Sequence, residues 1–343
     1  MKYMKKSFQM MEPYHSGLIP EGIILNANES PIEPPIQVVN EIKKTINQVE
    51  FNRYPDMDET LLNESIARHY KIKSENVSCG VGSDELLDVM FRCVLEKDDI
   101  VLGFSPSFSM YKVFSDLVGA KYIPVYGNEN MIFNVDDMIK AIKEYNPKLV
   151  LICTPNNPTG QYLEEKDIKK VIEATDALVA LDLAYIDFAK HDYVTIALEY
   201  PNVITFKTFS KAMALPSIRL GYAISTKDNI DMLNAVKPPY SVTTLSQLIG
   251  KIAIDNFALY KGQINMIKKE RERLYKILKE RGFNVYPSEA NFLYILMDDK
   301  YNEELLKNKI YIRKFKSNTY RITVGTKYEN DKLLEVLKWE RQK

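Results

Sequence analysis

A lysine, an arginine and two hydroxyl side chains follow one short apolar run of the sequence. The run covers residues 203–206, and Thr208, Ser210, Lys211 and Arg219 come after it. A lysine near a buried site can have a lowered pKa and act as an amine nucleophile or a base. The hydroxyls and the arginine would then cradle a phosphate, which guanidinium binds through paired hydrogen bonds. An ordinary surface lysine is the alternative interpretation of this segment.

A glycine-rich turn precedes a predicted helix that runs to about Val94. The turn reads Cys79-Gly80-Val81-Gly82-Ser83-Asp84-Glu85. Its glycines allow close backbone approach to a ligand, and free N–H groups at the helix start favour an anion such as phosphate. The dinucleotide pattern Gly-x-Gly-x-x-Gly is incomplete because Glu85 takes the third glycine position, and no Walker sequence is present. An anion site and a plain loop both fit this turn.

Two more apolar runs end in side chains that can bind a ligand, at the place where parallel sheets bind theirs. Asn156 and Asn157 lie in the turn-rich segment after Cys153, and an asparagine amide can donate to a phenolate or carboxylate oxygen. Asp182 ends the other run, and Tyr185 follows it. A carboxylate buried there needs a partner, which a protonated ring nitrogen would supply. A cap for the next turn is the alternative role for Asp182.

Composition and charge exclude several classes of protein. The 343 residues, enough for roughly two domains, carry 46 basic and 46 acidic side chains. A dedicated nucleic-acid binder usually has a basic excess instead. With 45% hydrophobic residues the chain is not expected to be disordered. No apolar run approaches the roughly 18 residues of a membrane span, and no signal peptide is predicted.

The cysteines and histidines predict neither a disulfide scaffold nor a metal site. Cys79, Cys93 and Cys153 are few and scattered, and free thiols beside apolar runs fit a reducing cytoplasm. The three histidines have no metal-ligand spacing, and no Cys-x-x-Cys occurs.

Short apolar runs alternate with helical patterns through the middle of the chain. This alternation predicts a mostly parallel sheet, and the continuous apolar strands predict that both its faces are covered. After residue 255 the pattern predicts a smaller α+β domain, against which the irregular first 30 residues pack. The predicted strands are 100–104, 122–125, 149–153, 178–182, 203–206, 292–297, 310–313 and 320–324. The predicted helices are 108–117, 135–145, 164–174, 264–281, 303–308 and 331–341.

Together these segments resemble the fold-type I pyridoxal-phosphate aminotransferases, and within them the histidinol-phosphate aminotransferases. The resemblance covers nearly the whole chain and rests on the order and spacing of its motifs. They are Leu25-Asn26-Ala27-Asn28-Glu29-Ser30-Pro31, Asn52-Arg53-Tyr54-Pro55-Asp56, Gly82-Ser83-Asp84-Glu85, Pro106-Ser107-Phe108-Ser109-Met110-Tyr111, residues 155–160, residues 208–211, Arg219-Leu220-Gly221-Tyr222, Pro287-Ser288-Glu289-Ala290-Asn291-Phe292 and Arg321-Ile322-Thr323-Val324-Gly325-Thr326. The implied fold is α/β: a large cofactor domain (30–255) with a mostly parallel, seven-stranded sheet flanked by helices, and a smaller α+β domain (1–29 and 256–343).

The resemblance also implies a role for each matching residue. Lys211 corresponds to the lysine that bonds to pyridoxal 5'-phosphate, and Asp182 to the carboxylate that pairs with its ring nitrogen. The other implied cofactor residues are Asn157 and Tyr185 at the phenolic oxygen, Gly82, Ser83, Asp84, Thr208, Ser210 and Arg219 at the phosphate, Phe108 on the ring, and Tyr54 reaching the other subunit of a homodimer. The implied substrate residues are Tyr14, Glu29, Asn157, Arg313 and Arg321, with Arg321 binding the anionic group.

The activity implied is transamination (EC 2.6.1) between histidinol phosphate, or a similar anionic amine, and 2-oxoglutarate, as in histidine biosynthesis. The resemblance implies a cytoplasmic homodimer that binds neither nucleic acid nor membranes. A threonine-phosphate decarboxylase-like lyase and an aromatic amino-acid aminotransferase are the alternatives, because they share the cofactor residues. A nicotinamide oxidoreductase would rest only on the Gly80-x-Gly82 turn, and a non-catalytic relative would lack Lys211.

Two segments depart from the family pattern. The family usually reads Asp-Glu-Ala-Tyr where this chain has Asp182-Leu183-Ala184-Tyr185, so one carboxylate is missing beside the cofactor contacts. After Lys211 the family favours a small, glycine-containing run, whereas this chain has Pro216, which fixes φ and lacks an N–H. We therefore expect a reshaped loop before Arg219, close to the substrate pocket.

Overall fold

Twelve strands in two sheets and eleven helices make up the described part of the protein, for which the computed structural model covers residues 3–5, 8, 21–129, 131–316 and 318–338. The strands are β1 (Ile23–Leu25), β2 (Val77–Gly80), β3 (Ile100–Ser105), β4 (Lys121–Tyr126), β5 (Leu149–Cys153), β6 (Leu178–Asp182), β7 (Val203–Thr208), β8 (Gly221–Ile224), β9 (Asn284–Val285), β10 (Phe292–Leu296), β11 (Ile310–Lys314) and β12 (Thr319–Thr323). The helices are α1 (Ile36–Ile46), α2 (Thr60–Tyr70), α3 (Gly82–Val94), α4 (Met110–Val118), α5 (Val135–Tyr145), α6 (Glu165–Glu173), α7 (Lys227–Val236), α8 (Thr244–Asp255), α9 (Lys261–Glu280), α10 (Asp299–Lys307) and α11 (Lys327–Val336).

The larger sheet has seven strands in the order β2-β8-β7-β6-β5-β3-β4. Strands β3 to β7 run parallel to one another, whereas β8 runs antiparallel to both β2 and β7. The predicted mostly parallel sheet is therefore confirmed. The short strands β2 and β8 were not predicted.

Apolar residues of each central strand point alternately into two cores. In β5, Val150 and Ile152 face a core shared with α5 and α6, while Leu149 and Leu151 face one shared with α3 and α4. The prediction that the sheet is covered on both faces is thus confirmed. Each fully buried aliphatic side chain stabilises this arrangement by about 1.5–3 kcal/mol. The packing holds the carboxyl ends of β5, β6 and β7 at one edge, where the polar side chains emerge.

The smaller sheet has the order β1-β11-β12-β10-β9. Strand β1 pairs in parallel with β11, so residues 23–25 are not irregular as predicted, although they do pack against this domain. Helix α9 contributes Ile264 and Ile267 to the large core and Leu274 and Leu278 to the small one, which joins the two sheets. The domain limits of 30–255 and 256–343 stay a prediction.

Helices α10 and α11 each begin four residues earlier than predicted. Asp298 accepts a hydrogen bond from the backbone of Lys300 at the start of α10. Thr326 and Glu329 form a capping box at the start of α11. That Thr-x-x-Glu signal is visible in the sequence, and it outweighs the later apolar periodicity.

Two further predictions concern the cysteines and membrane-spanning segments. Cys79 and Cys153 are buried, Cys93 is partly buried, and all three are free thiols. None of the helices in the described ranges is long and apolar enough to cross a membrane.

Candidate active site

A cavity of about 690 Å³ opens at the carboxyl ends of β5, β6 and β7, facing β11 and β12. Cavities of this size commonly bind small molecules. The predicted site residues that line it are Glu29, Gly82, Ser83, Asp84, Phe108, Asn157, Asp182, Tyr185, Thr208, Ser210, Lys211, Arg219, Arg313 and Arg321. Residues that were identified from separate motifs, far apart in the sequence, therefore line one cavity.

One predicted site residue, Tyr54, is not among the residues that line this cavity. Tyr54 is 81% exposed, and its ring stacks on Tyr240 at 4.8 Å between centroids. Tyr14 lies outside the described residues. The chain by itself therefore does not bring Tyr54 to the pocket.

Lys211 lies in the turn that follows β7, with its amine inside the cavity. Its Nζ donates to the backbone oxygen of Ala27 at 3.0 Å and lies 6.0 Å from the centre of the Tyr185 ring. Burial and, to a lesser extent, the Arg321 guanidinium lower the pKa of Lys211 to about 8. A much larger share of this amine is uncharged near neutral pH than in an ordinary lysine.

Asp182 ends β6 and is almost completely buried, with 5% of its surface exposed. Its Oδ1 accepts from the Ala184 backbone at 3.1 Å, and its Oδ2 accepts from the Tyr111 hydroxyl at 2.6 Å. Burial raises the pKa of Asp182, while the Tyr111 hydrogen bond opposes the increase. The neighbouring Leu183 packs fully buried in the apolar core, so the missing family carboxylate is replaced by an apolar contact.

The start of helix α3 lies at one end of the cavity, where its N–H groups suit an anion. Gly82 has φ +74°, a conformation that favours glycine, and a Cβ there would lie 2.9 Å from the end of the flexible Arg219 side chain. Arg219 also reaches Asp84 at 3.4 Å and the Ser210 hydroxyl at 3.5 Å. Helix α3 has no side-chain cap, which leaves its first N–H groups for an anion. The close packing continues at Gly221, whose added Cβ would lie 2.3 Å from the Ser83 nitrogen.

Two neutral donors lie above Asp182 and Lys211. The Tyr185 hydroxyl accepts from the Asn28 side chain at 3.0 Å, so its own hydrogen can be given to a ligand. The Asn157 side-chain oxygen accepts from Arg321 at 2.5 Å, which leaves its amide nitrogen as the donor. Burial also raises the pKa of Tyr185, which keeps this hydroxyl protonated.

Two arginines project from neighbouring strands of the small sheet at the other end of the cavity. Arg313 of β11 is in register with Arg321 of β12. Arg321 is 8% exposed, donates to the Asn26 backbone oxygen at 2.8 Å, and lies between the rings of Phe292 and Phe315. Two adjacent guanidinium groups in a cavity attract an anionic ligand.

Three residues of this site were missed by sequence reasoning. Asn28 is buried with φ +56°, and its backbone N–H donates to Thr323 while its side chain holds Tyr185. Tyr111 bonds Asp182, and Phe315 lines the cavity beside Arg321. Asn28 and Tyr111 lie inside motifs quoted above, whereas no sequence pattern pointed to Phe315.

The loop between Lys211 and Arg219 takes an unusual backbone path. Ala214 and Arg219 both have positive φ, and Pro216 begins a short 3-10 turn. Pro216 also lines the cavity, as expected for a loop that helps to shape the pocket. Within the described residues, no cluster of His, Cys, Asp or Glu side chains could hold a metal ion.

Comparison with known proteins extends these observations. The sequence profile of the family described as "Aminotransferase class I and II" matches residues 20–337. The histidinol-phosphate aminotransferase of Thermoanaerobacter pseudethanolicus is 36% identical over 343 residues, covering 98% of this chain and 97% of that protein. Histidinol-phosphate aminotransferase 1 of Carboxydothermus hydrogenoformans is 34% identical, with 98% of each covered. The crystal structure of histidinol-phosphate aminotransferase from Sinorhizobium meliloti in complex with pyridoxal-5'-phosphate matches with a TM-score of 0.87 at 23% identity, covering 98% of both chains.

Proposed function

Because the chain belongs to the class I and II aminotransferases, we propose that it moves the amino group of histidinol phosphate, or a similar anionic amine, to 2-oxoglutarate with pyridoxal 5'-phosphate as cofactor. One observation carries this proposal. Lys211, whose pKa is lowered, lies in one cavity with two cationic ends. One end is formed by Arg219 and the start of α3, and the other by Arg313 and Arg321. The cavity can therefore accept a phosphorylated cofactor at one end and an anionic substrate at the other.

The residues present fit this cofactor. The α3 start suits its phosphate, since helix N-termini and guanidinium groups both bind phosphate and the Arg219 guanidinium lies 2.9 Å from where a Gly82 Cβ would stand. Asp182 suits the ring nitrogen, since a buried carboxylate needs a cationic or donor partner. Phe108 lines the cavity on the side of Asp182 and provides an aromatic surface for stacking.

Bound pyridoxal 5'-phosphate supplies an aldehyde that bonds to amines and a protonated ring that withdraws electrons from the substrate's reacting carbon. Lys211 can bond to that aldehyde because its amine is partly uncharged near neutral pH. When it is not bonded to the cofactor, the same Nζ would take a proton from the substrate carbon that bears the amino group and would deliver it to the cofactor carbon that carried the aldehyde oxygen. Its contact with the Ala27 oxygen holds the amine in the cavity.

The other side chains fix charge around this reaction. With the cofactor bound, Asp182 would hold a proton at the ring nitrogen, while the Tyr185 hydroxyl and the Asn157 amide would donate to the phenolic oxygen. Arg321 binds the substrate's anionic group, with Arg313 beside it. One such pocket accepts both partners of the reaction, because phosphate and carboxylate both bind guanidinium.

A substrate screen tests the proposed activity. With histidinol phosphate and 2-oxoglutarate, the protein should form glutamate in a coupled assay. Dephosphorylated histidinol should react at least about a hundredfold less efficiently, because a charged hydrogen-bonded partner of the arginines is lost. Faster reaction of phosphate-free aromatic amino acids would contradict the substrate assignment. Release of carbon dioxide from threonine phosphate without glutamate would point to the lyase.

A homodimer forms part of the proposed function. Tyr54 stacks on Tyr240, and the large apolar side chains close to Tyr54 in the sequence are also exposed, namely Phe51, Met57 and Leu61. Such a surface is typical of a subunit interface. A second copy of the chain would cover it and would receive Tyr54 at its phosphate site. We place this dimer in the cytoplasm, where the three free thiols are stable.

A further inference from the structure

The Asp182 carboxylate has one hydrogen-bond partner on each oxygen. Backbone geometry fixes the Oδ1 contact, because the Ala184 N–H that donates to it is only two residues away. The Oδ2 contact is different, since its donor is the Tyr111 hydroxyl, 71 residues earlier in the chain and 2.6 Å away. The distance is that of a hydrogen bond from a hydroxyl to an ionised acceptor.

Tyr111 also contacts the aromatic residue proposed to stack on the cofactor. The rings of Phe108 and Tyr111 meet edge to face at 5.5 Å and 86°. The Tyr111 backbone N–H donates to the Phe108 oxygen at 3.2 Å. Tyr111 is itself only 1% exposed, and its backbone oxygen accepts from Ser115. The buried Tyr111 side chain therefore contacts both Asp182, which would hold the edge of a planar ring, and Phe108, which would stack on its face.

Few charged or titratable groups compete with Tyr111 for Asp182. Cys153 of β5 is in register with Asp182. Asp84 at the start of α3 and Lys211 in the turn after β7 are close enough to affect the charge of Asp182. Asp84 raises the pKa of Asp182, while Lys211 lowers it slightly. Among the described residues, the Tyr111 hydroxyl is the only side chain within hydrogen-bond distance of the carboxylate.

We propose that Tyr111 is a positioning residue, whose hydroxyl holds the Asp182 carboxylate toward the cofactor's ring nitrogen and whose ring edge braces Phe108 against the cofactor's face. This inference rests on the proposed function, because it concerns the same pyridoxal 5'-phosphate site. It predicts that the Tyr111 hydroxyl affects both the affinity for the cofactor and the pH dependence of that affinity, which a packing role alone would not do.

Tyr111→Phe tests the inference, because it removes only the hydroxyl. The cofactor dissociation constant of the apoprotein is measured by equilibrium dialysis from pH 5 to 9. At pH 7 the variant should bind pyridoxal 5'-phosphate about tenfold more weakly, or ~1.4 kcal/mol. Affinity should also fall at a higher pH than in the natural protein, because the pKa of Asp182 rises when its donor is lost and a protonated Asp182 cannot hold the ring proton.

Tyr260→Phe is the matched control. Tyr260 is equally buried, but its hydroxyl has no hydrogen-bond partner in the described structure, so this change should leave cofactor affinity unaltered. Replacing Tyr111 with a fluorinated tyrosine keeps the contact and strengthens the donor, so the pH midpoint should move downward. This second variant decides the question if Tyr111→Phe does not fold.

Four results would overturn the inference. Unchanged affinity and midpoint in Tyr111→Phe would leave Tyr111 a packing role only, as would an unmoved midpoint with the fluorinated residue. Equal weakening in Tyr260→Phe would show a general effect of core hydroxyls. If the natural protein itself fails to bind the cofactor at Lys211, the proposed function fails, and this inference with it.

Discussion

Lys211 owes its expected chemistry to its surroundings. An ordinary lysine keeps all but roughly one part in two thousand of its amines charged at pH 7. Burial and the nearby Arg321 lower the pKa of Lys211 to about 8. About a tenth of the amine is then uncharged at pH 7, a large gain in available nucleophile.

The first prediction concerns this amine. Capture of pyridoxal 5'-phosphate by the apoprotein should speed up as the pH rises through about 8, because the uncharged amine is the reactive form. Stopped-flow absorbance measures the rate. Borohydride reduction followed by mass spectrometry should then find the cofactor on Lys211. Finding the label on another lysine, or full turnover by Lys211→Ala, would refute the assignment.

Arg321 carries the second prediction. Arg321→Ala should lower kcat/KM for the anionic amine about a hundredfold, because two charge-assisted bonds to the substrate are lost. Cofactor affinity should change much less, since the phosphate lies at the Arg219 end. Steady-state kinetics and cofactor dialysis separate the two effects. Lys314→Ala, an exposed cation on the adjoining strand, is the control, and equal loss of substrate and cofactor would contradict the role.

At the scale of elements, a buried ion cluster joins β7 to the turn after β6. Lys207 is 1% exposed and its Nζ contacts Asp187 at 2.7 Å and Asp192 at 2.8 Å. Burial alone would lower the pKa of Lys207, but the two carboxylates raise it well above its ordinary value. Since Asp187 follows Tyr185 by two residues and Lys207 precedes Thr208, the cluster fixes two cavity walls relative to each other.

Removing this cation gives the third prediction. Lys207→Met should reduce the free energy of unfolding by about 3–5 kcal/mol, because a buried carboxylate is left without its partner. Urea unfolding measures the loss. Lys251→Met breaks a partly exposed pair with Asp255 and should cost less than about 1 kcal/mol. Similar losses in both variants would disprove a special role for the buried cluster.

Sequence patterns identified these elements unequally. Strands β5 and β6 were predicted with the observed bounds, since uninterrupted apolar residues between helices leave few alternatives. Strands β1 and β8 have only three and four residues, too few for periodicity to register. The cluster at Lys207 was not foreseen, because a buried lysine and a surface lysine look alike until the chain has folded.

At the scale of the whole molecule, the proposed dimer would complete the proposed site. Tyr54 lies on the apolar surface with Phe51 and Met57, outside the cavity of its own chain. Most of the residues that line the cavity can be read from sequence motifs, because each motif is local. The contacts of Arg321 with Asn157 and of Asn28 with Tyr185 join residues more than 150 positions apart, and no local pattern encodes them.

The fourth prediction follows from this surface. Phe51→Lys combined with Met57→Lys should convert the dimer to monomers, because charges would be buried at the interface. Light scattering after size-exclusion chromatography measures the mass. Tyr54→Phe should leave the dimer intact and weaken cofactor binding, while Tyr126→Lys, at another exposed aromatic, should do neither. A natural protein of monomeric mass would refute the interface.

The route of the chain through the cavity has a consequence for biosynthesis. The cofactor side uses residues between 82 and 219, whereas Asn26 and Asn28 bind Arg321 and Thr323, 295 residues later. A ribosome adding about 5–20 residues per second needs about 15–60 s to cover that separation. The start of α3 and Arg219 can thus come together in the nascent chain well before Arg313 and Arg321 are synthesised. Asn26 and Asn28 cannot form their contacts with Arg321 and Thr323 until then.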